Sequence, residues 1–474
     1  MAIPIDRELA GDINNPSPEL LKYCIDQHKK ELERLQKLSD YYDGKHDVLE
    51  RKLDNENAKN NKVMVNHAKY VTDMNVGFLV GNPISYSAGD TKNLDPILDS
   101  FEEMDIVSHD TELEKDLSVF GIGLELLYLR KVPGSETETE IMIKAVDPRG
   151  VFLVTDDTIE KNPLFAVHYY KKYGLDGQLI GYLFNIYTPQ NVITRRAKDL
   201  TLSDSTIVKA LPQYFGGVQV IEYRNNEEKQ GDFEQALTLV DAYNVLQSDR
   251  ISDKEAFIDA LLIIYGFRLE GSVKDGLIEA PGKGEDGAAA EWLTKTFDES
   301  QVQLLSKSIE DNIHKVTYVP NMNDENFAGN ISGEAMKYKL FGLLQLMSIK
   351  SRYMTKGLRQ RLQLMANMLN VKGNNIDVSG AKIKIKPNLP INTSDIIDQI
   401  VKAVDILPLE TLLSWLPDID DPGEEIKKLI EQKKKNIELA NQLGGQGASH
   451  ENLDDAPDDE EDEDEVSEKE KVVN

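Results

Sequence analysis

The chain is 474 residues long, more than one hydrophobic core usually organises, so two or more domains are expected. Forty per cent of it is apolar, enough for sizeable cores, yet it carries a net charge of −29. That balance excludes a protein built simply to grip phosphates, because nucleic-acid affinity comes from Lys and Arg neutralising them.

The first helix is predicted from Pro18 to Tyr42, with Leu20, Leu21, Ile25, Leu32, Leu35 and Leu38 on one face and a stop at Asp43-Gly44. A second runs over residues 66–78 and halts at Gly81-Asn82-Pro83. Residues 110–118 are helical and lead through Phe120-Gly121-Ile122-Gly123 into a β-rich block. Its strands are expected at 124–129, 141–146, 151–154, 165–170, 179–187 and 192–194. After Glu222-Tyr223-Arg224 the pattern becomes a long helix with Asp232 as its N-cap, carrying Phe233, Ala236, Leu237, Val240, Tyr243, Asn244 and Leu246. A strand-like 260–267 and a glycine-rich excursion at 271–287 follow. A further helix over 297–314 then presents Val302, Leu305, Ile309 and Ile313.

The next stretch is the most informative. A polar loop carries Asn321, Asn323, Asp324, Glu325, Asn326 and Asn330 around one aromatic, Phe327. Ser332 reads as the N-cap of a long helix reaching about Leu369. A long loop sealed by a well-marked helix is usually functional rather than a connector. Beyond it, Ala381 to Pro387 alternates strictly and predicts one strand with an apolar and a basic face. Residues 394–430 form a last helical region broken at Pro408, Pro417 and Pro422. From 443 onward Gly, Ser, Asp and Glu dominate, and that tail is expected to be disordered. Residues 451–474 hold thirteen acidic side chains against Lys469 and Lys471, which is −11 of the −29.

Enzymatic motifs are absent or incomplete. Gly276 to Gly284 approaches a phosphate-binding loop, but its spacing is one residue too long and Gly284 stands where Ser or Thr is required. Gly121-Ile122-Gly123 lacks the third glycine of a dinucleotide fingerprint and precedes a strand. The seven histidines show no i, i+4 pairing, so no metal site and no cofactor is expected. Cys24, the single cysteine, has His28 one turn away but reads as a core thiol of a reducing compartment. The chain opens without a basic, apolar leader and no apolar run reaches membrane-spanning length, so synthesis in the cytoplasm and no membrane contact are expected. Basic residues cluster once, at Lys337, Lys339, Lys350, Arg352, Lys356, Arg359 and Arg361. They form either a solvated helix face or a contact with a polyanion or an acidic neighbouring subunit.

Several segments together resemble the portal proteins of tailed bacteriophages, in the type found in long-tailed phages of Gram-positive bacteria. They are Tyr41 to His46, Asn66 to Tyr86, Phe120 to Glu125, Val220 to Glu234, Val319 to Phe341 and Lys356 to Arg361, in that order and spacing. The resemblance implies an α+β portal fold and a dodecameric ring at one capsid vertex with an axial channel for double-stranded DNA. It implies a wing at 1–230, a stem helix at 231–262, a clip at 263–296 and a second stem helix at 297–317. A tunnel loop at 318–334, a long helix and strand of the wing at 335–393, and a crown at 394–443 follow, with the acidic tail at 444–474. Terminase, head–tail adaptors, and the major capsid and scaffolding proteins are the implied partners, and the virion the implied location. On this reading Asn321, Asn323, Asp324, Glu325, Asn326, Phe327 and Asn330 line the channel, while Lys350, Arg352, Lys356, Arg359 and Arg361 are candidates for subunit contact. Two other readings stay open: a nucleic-acid-processing enzyme with an unrecognised carboxylate site, and a capsid adaptor that never touches DNA.

Overall fold

Ser17 opens the first helix, α1 (Pro18–Tyr42), its hydroxyl accepting the Leu20 N–H while Pro18 presets the first turn. The computed structural model describes residues 2–55, 58–88, 93–135, 138–258, 261–265, 289–293, 299–322, 333–389, 393–416, 419 and 422–444. The chain divides into two compact units, Met1–Ile391 and Asn392–Asn474.

In the first unit, helices α2 (His67–Val80), α3 (Asp95–Glu103) and α4 (Ile106–Phe120) follow α1, with strand β1 (Ala2–Ile5) before it and β2 (Ser85–Ser87) between α2 and α3. Strands β3 (Ile122–Lys131), β4 (Thr139–Val146), β5 (Val151–Asp156), β6 (Pro163–Tyr173), β7 (Leu179–Tyr187), β8 (Asn191–Ala197), β9 (Thr206–Pro212) and β10 (Val220–Arg224) come next. Then come α5 (Leu237–Ile258), β11 (Leu261–Tyr265), β12 (Ala289–Leu293), α6 (Glu299–Thr317), α7 (Gly333–Lys339), α8 (Phe341–Val371) and β13 (Lys382–Lys384). One sheet has the order β1-β5-β6-β7-β8-β9, a second β10-β3-β4, and two-stranded pairs join β11 to β12 and β13 to β2. Among the described residues only the β1–β5 pairing is parallel. The predicted strands are all present; β1, β2, β9, β10 and β12 are additions, short segments without a long alternating run. The second unit contains α9 (Thr393–Ala403), α10 (Leu409–Leu413) and α11 (Pro422–Gly444).

The largest core gathers α2, α4 and α8 around β3, β4 and β10. A second lies between α1 and the larger sheet, with Leu21, Cys24 and Ile25 against Phe152, Phe165 and Phe184. His28 joins that layer with both ring nitrogens engaged: Nε2 donates to the Pro148 carbonyl at 2.8 Å and Nδ1 accepts from the Tyr169 hydroxyl at 2.9 Å. Cys24 therefore has no base in His28, and burial pushes its thiol up to about 12. Gly357 is required where α8 crosses β10, because a Cβ there would lie 2.3 Å from the Tyr223 ring. Gly121 ends α4 at φ +77, a left-handed cap that would also drive a Cβ into the Lys229 carbonyl at 2.1 Å.

Two members of the basic cluster depart from expectation. Lys350 is 2% exposed and Arg361 is fully buried, so neither can reach a phosphate or a neighbouring subunit. Lys350 Nζ sits 2.6 Å from both Glu114 Oε1 and Asp232 Oδ2. Arg361 holds Asp110 at 2.7 Å and Glu125 at 2.5 Å, and Glu125 also faces His109 Nε2 at 3.0 Å and the Tyr223 hydroxyl at 3.2 Å. A buried cation needs such partners because desolvation would otherwise expel it. Burial alone would raise the Glu125 carboxyl, but Arg361 and His109 outweigh it and draw it down to about 2. Burial prevails at Glu114, pushing it up to about 7 despite Lys350. Asp232, expected to cap a helix, is recruited here instead and also accepts from Asn75 and Asn225 at 2.8 and 2.7 Å. The helix it was to cap starts later, at Leu237, after a short 3-10 turn.

α5 contributes a polar ladder. Asn244, Ser248 and Ser252 are buried, and their side-chain oxygens accept the N–H groups of Val65, Val63 and Asn61 at 2.8, 2.9 and 2.9 Å. Four helical residues rise ~6 Å and two extended residues ~6.6 Å, so every second N–H of the segment meets every fourth side chain.

Two outcomes are expected. Arg361→Met leaves Asp110 and Glu125 buried without their cation and should lower unfolding free energy by about 3–5 kcal/mol, whereas Arg352→Met on the exposed face should leave it unchanged. Equal losses in denaturant titrations would refute the ion-pair account. His28 is lowered by burial from 6.5 to about 4, so the unfolded chain binds that proton more readily within this window. Stability linked to neutral His28 is complete above 6.5 and drains as pH falls toward 4. His28→Gln cannot titrate, so the stability gap between it and wild type should narrow through that window; a gap independent of pH would contradict this.

Candidate functional site: the base of the polar loop and the basic helix face

α6 ends at Thr317, whose hydroxyl turns back to the Ile313 carbonyl at 2.8 Å. Tyr318 then takes φ +59 and swings the chain out of the helical path. Val319 is fully buried in the main core, which also receives Leu340 and Leu343 from beyond the loop. Both ends of the loop are thus seated in one core. Among the loop residues named from the sequence, Asn321 is described: its amide donates to Glu310 Oε1 at 3.0 Å. Asn323, Asp324, Glu325, Asn326, Phe327 and Asn330, with the expected cap Ser332, lie outside the described residues.

The loop base is pinned by residues that the sequence did not flag. The Tyr70 hydroxyl donates to the Pro320 carbonyl at 3.0 Å and accepts the Met322 N–H at 3.3 Å. His314 Nδ1 donates to the Val319 carbonyl at 2.9 Å, which assigns its tautomer. The His314 ring packs edge-on against Tyr70 and His67, and His67 in turn against Tyr243. Burial, with His314 and His46 nearby, lowers His67 to about 4, so it sits neutral at this junction. Tyr70 and His67 fall within one of the segments quoted above, but no spacing rule marks a tyrosine as the partner of a loop 250 residues away.

The basic cluster divides by helix face. Arg352, Lys356 and Arg359 are exposed along one side of α8, and Lys356 covers the Tyr353 ring at 5.0 Å. Lys337 and Lys339 are exposed on α7, a separate helix broken from α8 at Leu340. Lys382 and Lys384 point outward from β13, as the alternation required, with Ile383 and Ile385 turned to the core.

Among the described residues no group of three or more His, Cys, Asp or Glu is arranged to hold a metal ion. Two surface hollows of about 270 and 330 Å³ are lined by charged side chains, Arg34 with Glu234 in one and Asp116 with Arg149 in the other. Neither brings a nucleophile and a base together. The near-P-loop at 276–284 lies outside the described residues. No helix is long and apolar enough to cross a membrane among those described.

Comparison with known proteins bears directly on the remaining readings. The chain is 22% identical to the portal protein of Bacillus phage SPP1 over 474 aligned residues, covering 92% of this chain and 90% of that protein. It is 22% identical over 229 residues to the portal protein of Clostridium phage phiCD119, covering 46% and 49% respectively. Among solved structures, a chain from the neck of an empty GTA particle aligns at 14% identity and TM-score 0.36, over 72% of this chain and 86% of that one. A chain from the neck of a native GTA particle aligns at 11% identity and the same score, over 73% and 87%. Scores at that level decide nothing, and the assignment rests on sequence. The profile of the family described as phage portal protein, SPP1 Gp6-like, matches residues 21–439, and the chain belongs to that family.

Proposed function

We propose that this chain forms a ring, a dodecamer in the particle, at one capsid vertex, and serves as the conduit for double-stranded DNA during packaging and ejection. The observation that carries the reading is the family match across residues 21–439, nearly the whole chain. Terminase, head–tail adaptors, and major capsid and scaffolding proteins are the partners of such a ring, which is a virion component and not an enzyme. α5 and α6 serve as the stem and β11 with β12 as part of the clip. Residues 318–334 form the tunnel loop, α9 to α11 the crown, and residues 1–230 and 335–393 the wing, with 444–474 a separate acidic tail.

Surface chemistry supports assembly. α5 and α6 are tied by Gln247 to Ser306 at 2.7 Å and Lys254 to Glu299 at 3.1 Å, yet Leu304 and Leu305 on α6 and Ile251 on α5 stay exposed. In the second unit Val401 and Ile437 are exposed at 66% and 60%. Apolar surface of this kind on two separate units is covered when copies pack side by side. Arg352, Lys356 and Arg359 remain the cations of α8 available to a neighbouring subunit or to DNA. The acidity suits a conduit, because tight phosphate contacts would stall a moving duplex.

Electron microscopy of the purified protein should show rings with a central hole wide enough for duplex DNA; compact monomers would overturn the reading. Asp324→Lys with Glu325→Lys changes each subunit by four units of positive charge, two per position. With the loop in the channel, that collar should retain DNA and slow packaging, and added salt should relieve the defect by counterion release. Packaging at the wild-type rate by rings carrying both lysines would remove this loop from the constriction.

A further inference from the structure

β9 is the outer edge of the six-stranded sheet, and every residue from Thr206 to Pro212 is exposed. Ile207, Val208 and Leu211 are 50%, 58% and 45% exposed, and none of β9 enters a hydrophobic cluster. A free, apolar strand edge is a liability that proteins cover or charge. The charge here is unusual for this chain. Residues 163–212 hold six Lys or Arg against three Asp, a balance of +3 in a protein of −29. Five of those cations, Lys171, Lys172, Arg196, Lys198 and Lys209, are exposed, and none has an ion-pair partner among the described residues. Lys209 and Leu211 pair with Thr194 and Val192, so they lie on one face of the sheet beside the strand edge.

The same unit carries the opposite surface elsewhere. Around the corner between α3 and α4, Asp95, Asp99, Glu102, Glu103, Asp105 and Glu112 are exposed, again without ion-pair partners among the described residues. Val107, 44% exposed, supplies an apolar spot among them. Other charges of the unit are paired, internally at Lys350 and Arg361 and nearer the surface at Arg149 and Lys229, while the outer stripe of α8 is a further cationic patch. The strand-edge patch and the α3–α4 patch are of opposite sign, lie on different elements, and each include exposed apolar surface.

We infer that the β9 edge of one copy docks on the α3–α4 corner of the next copy. The contact joins two different patches, so it is heterologous and repeats head to tail, the type of interface that closes into a ring. Electrostatic complementarity sets its register and rejects the wrong pairing, while Ile207, Val208 and Leu211 are covered. The inference rests on the ring proposed above and adds which surfaces meet.

Reciprocal charge reversal tests it. One variant carries Arg196→Glu with Lys209→Glu, the other Glu102→Lys with Glu103→Lys. All four positions are exposed, and melting temperatures should match wild type. Each variant alone sets its two reversed side chains against like charges and sharply lowers the complementarity of every interface, and sedimentation velocity should show loss of rings. An equimolar mixture offers opposite charges at every interface of an alternating ring, so rings should return. Lys171→Glu with Lys198→Glu makes the same reversal from other positions and carries the test should the first strand variant unfold. Rings formed by either variant alone, or a mixture of folded variants that stays unassembled, would overturn this contact. Wild type that never forms rings would instead overturn the ring itself, and the contact with it.

Discussion

The fold depends on how α8 buries two cations. Lys350 and Arg361 are eleven residues apart, close to three turns, so they leave the helix on the same side. They meet carboxylates in reversed chain order on α4, Lys350 with Glu114 and Arg361 with Asp110. Neither cation can be withdrawn from water without its partners, so α8 has one rotation and one axial position at which both are satisfied. Gly357 lies between them and admits the Tyr223 ring, whose hydroxyl completes the shell of Glu125. Helix phase, strand approach and charge balance are thus one constraint, and the largest core is assembled around it.

The polar ladder on α5 is a second constraint of similar kind. Residues 61–65 run extended without joining a sheet, which would leave buried N–H groups unpaired. Asn244, Ser248 and Ser252 take the place of a neighbouring strand, at a step that matches the extended chain to within about half an ångström per repeat. His46, stacked on Tyr41, accepts the Asn244 amide on Nδ1 and donates from Nε2 to the Tyr41 carbonyl, so the ladder is fastened to the end of α1. Short polar residues one turn apart on a helix carry no signal of their own. Their role shows only when the segment that lies across them is known.

Much of the fold was legible because local chemistry and tertiary packing agree. Ser17 and Asn66 cap α1 and α2, Gly44 and Gly121 end helices at positive φ, and alternation located the strands that pack on a core. Asp232 was misread because a strong capping residue is also a strong buried acceptor, and Lys350 needed the acceptor more. The basic cluster was misread as one surface, though the phase needed to divide it was present. Leu343, Met347, Met354, Leu358 and Met365 define the apolar stripe of α8, and Lys350 and Arg361 fall inside it while Arg352, Lys356 and Arg359 fall opposite. A charge in an apolar stripe signals a buried partner. The anchors of the polar loop, Tyr70 and His314, had no such signal, because they act through contacts between segments far apart in the chain.

The division of cations has a consequence for an acidic protein proposed to convey DNA. Phosphate affinity scales with the cations a surface can present, and buried ones contribute nothing to it. Lys350 and Arg361 are spent inside the subunit, and Arg34 and Arg195 are turned to Glu234 and to Asn15. What remains outside is still a strongly acidic surface, interrupted by the outer stripe of α8 and the strands near β9. Positive charge confined to a few patches can hold an acidic neighbouring copy in one register without lining a path with sites that grip the duplex. Acidity and ring formation are then compatible, since the same scarcity of exposed cations that keeps DNA mobile makes each remaining patch selective for its partner.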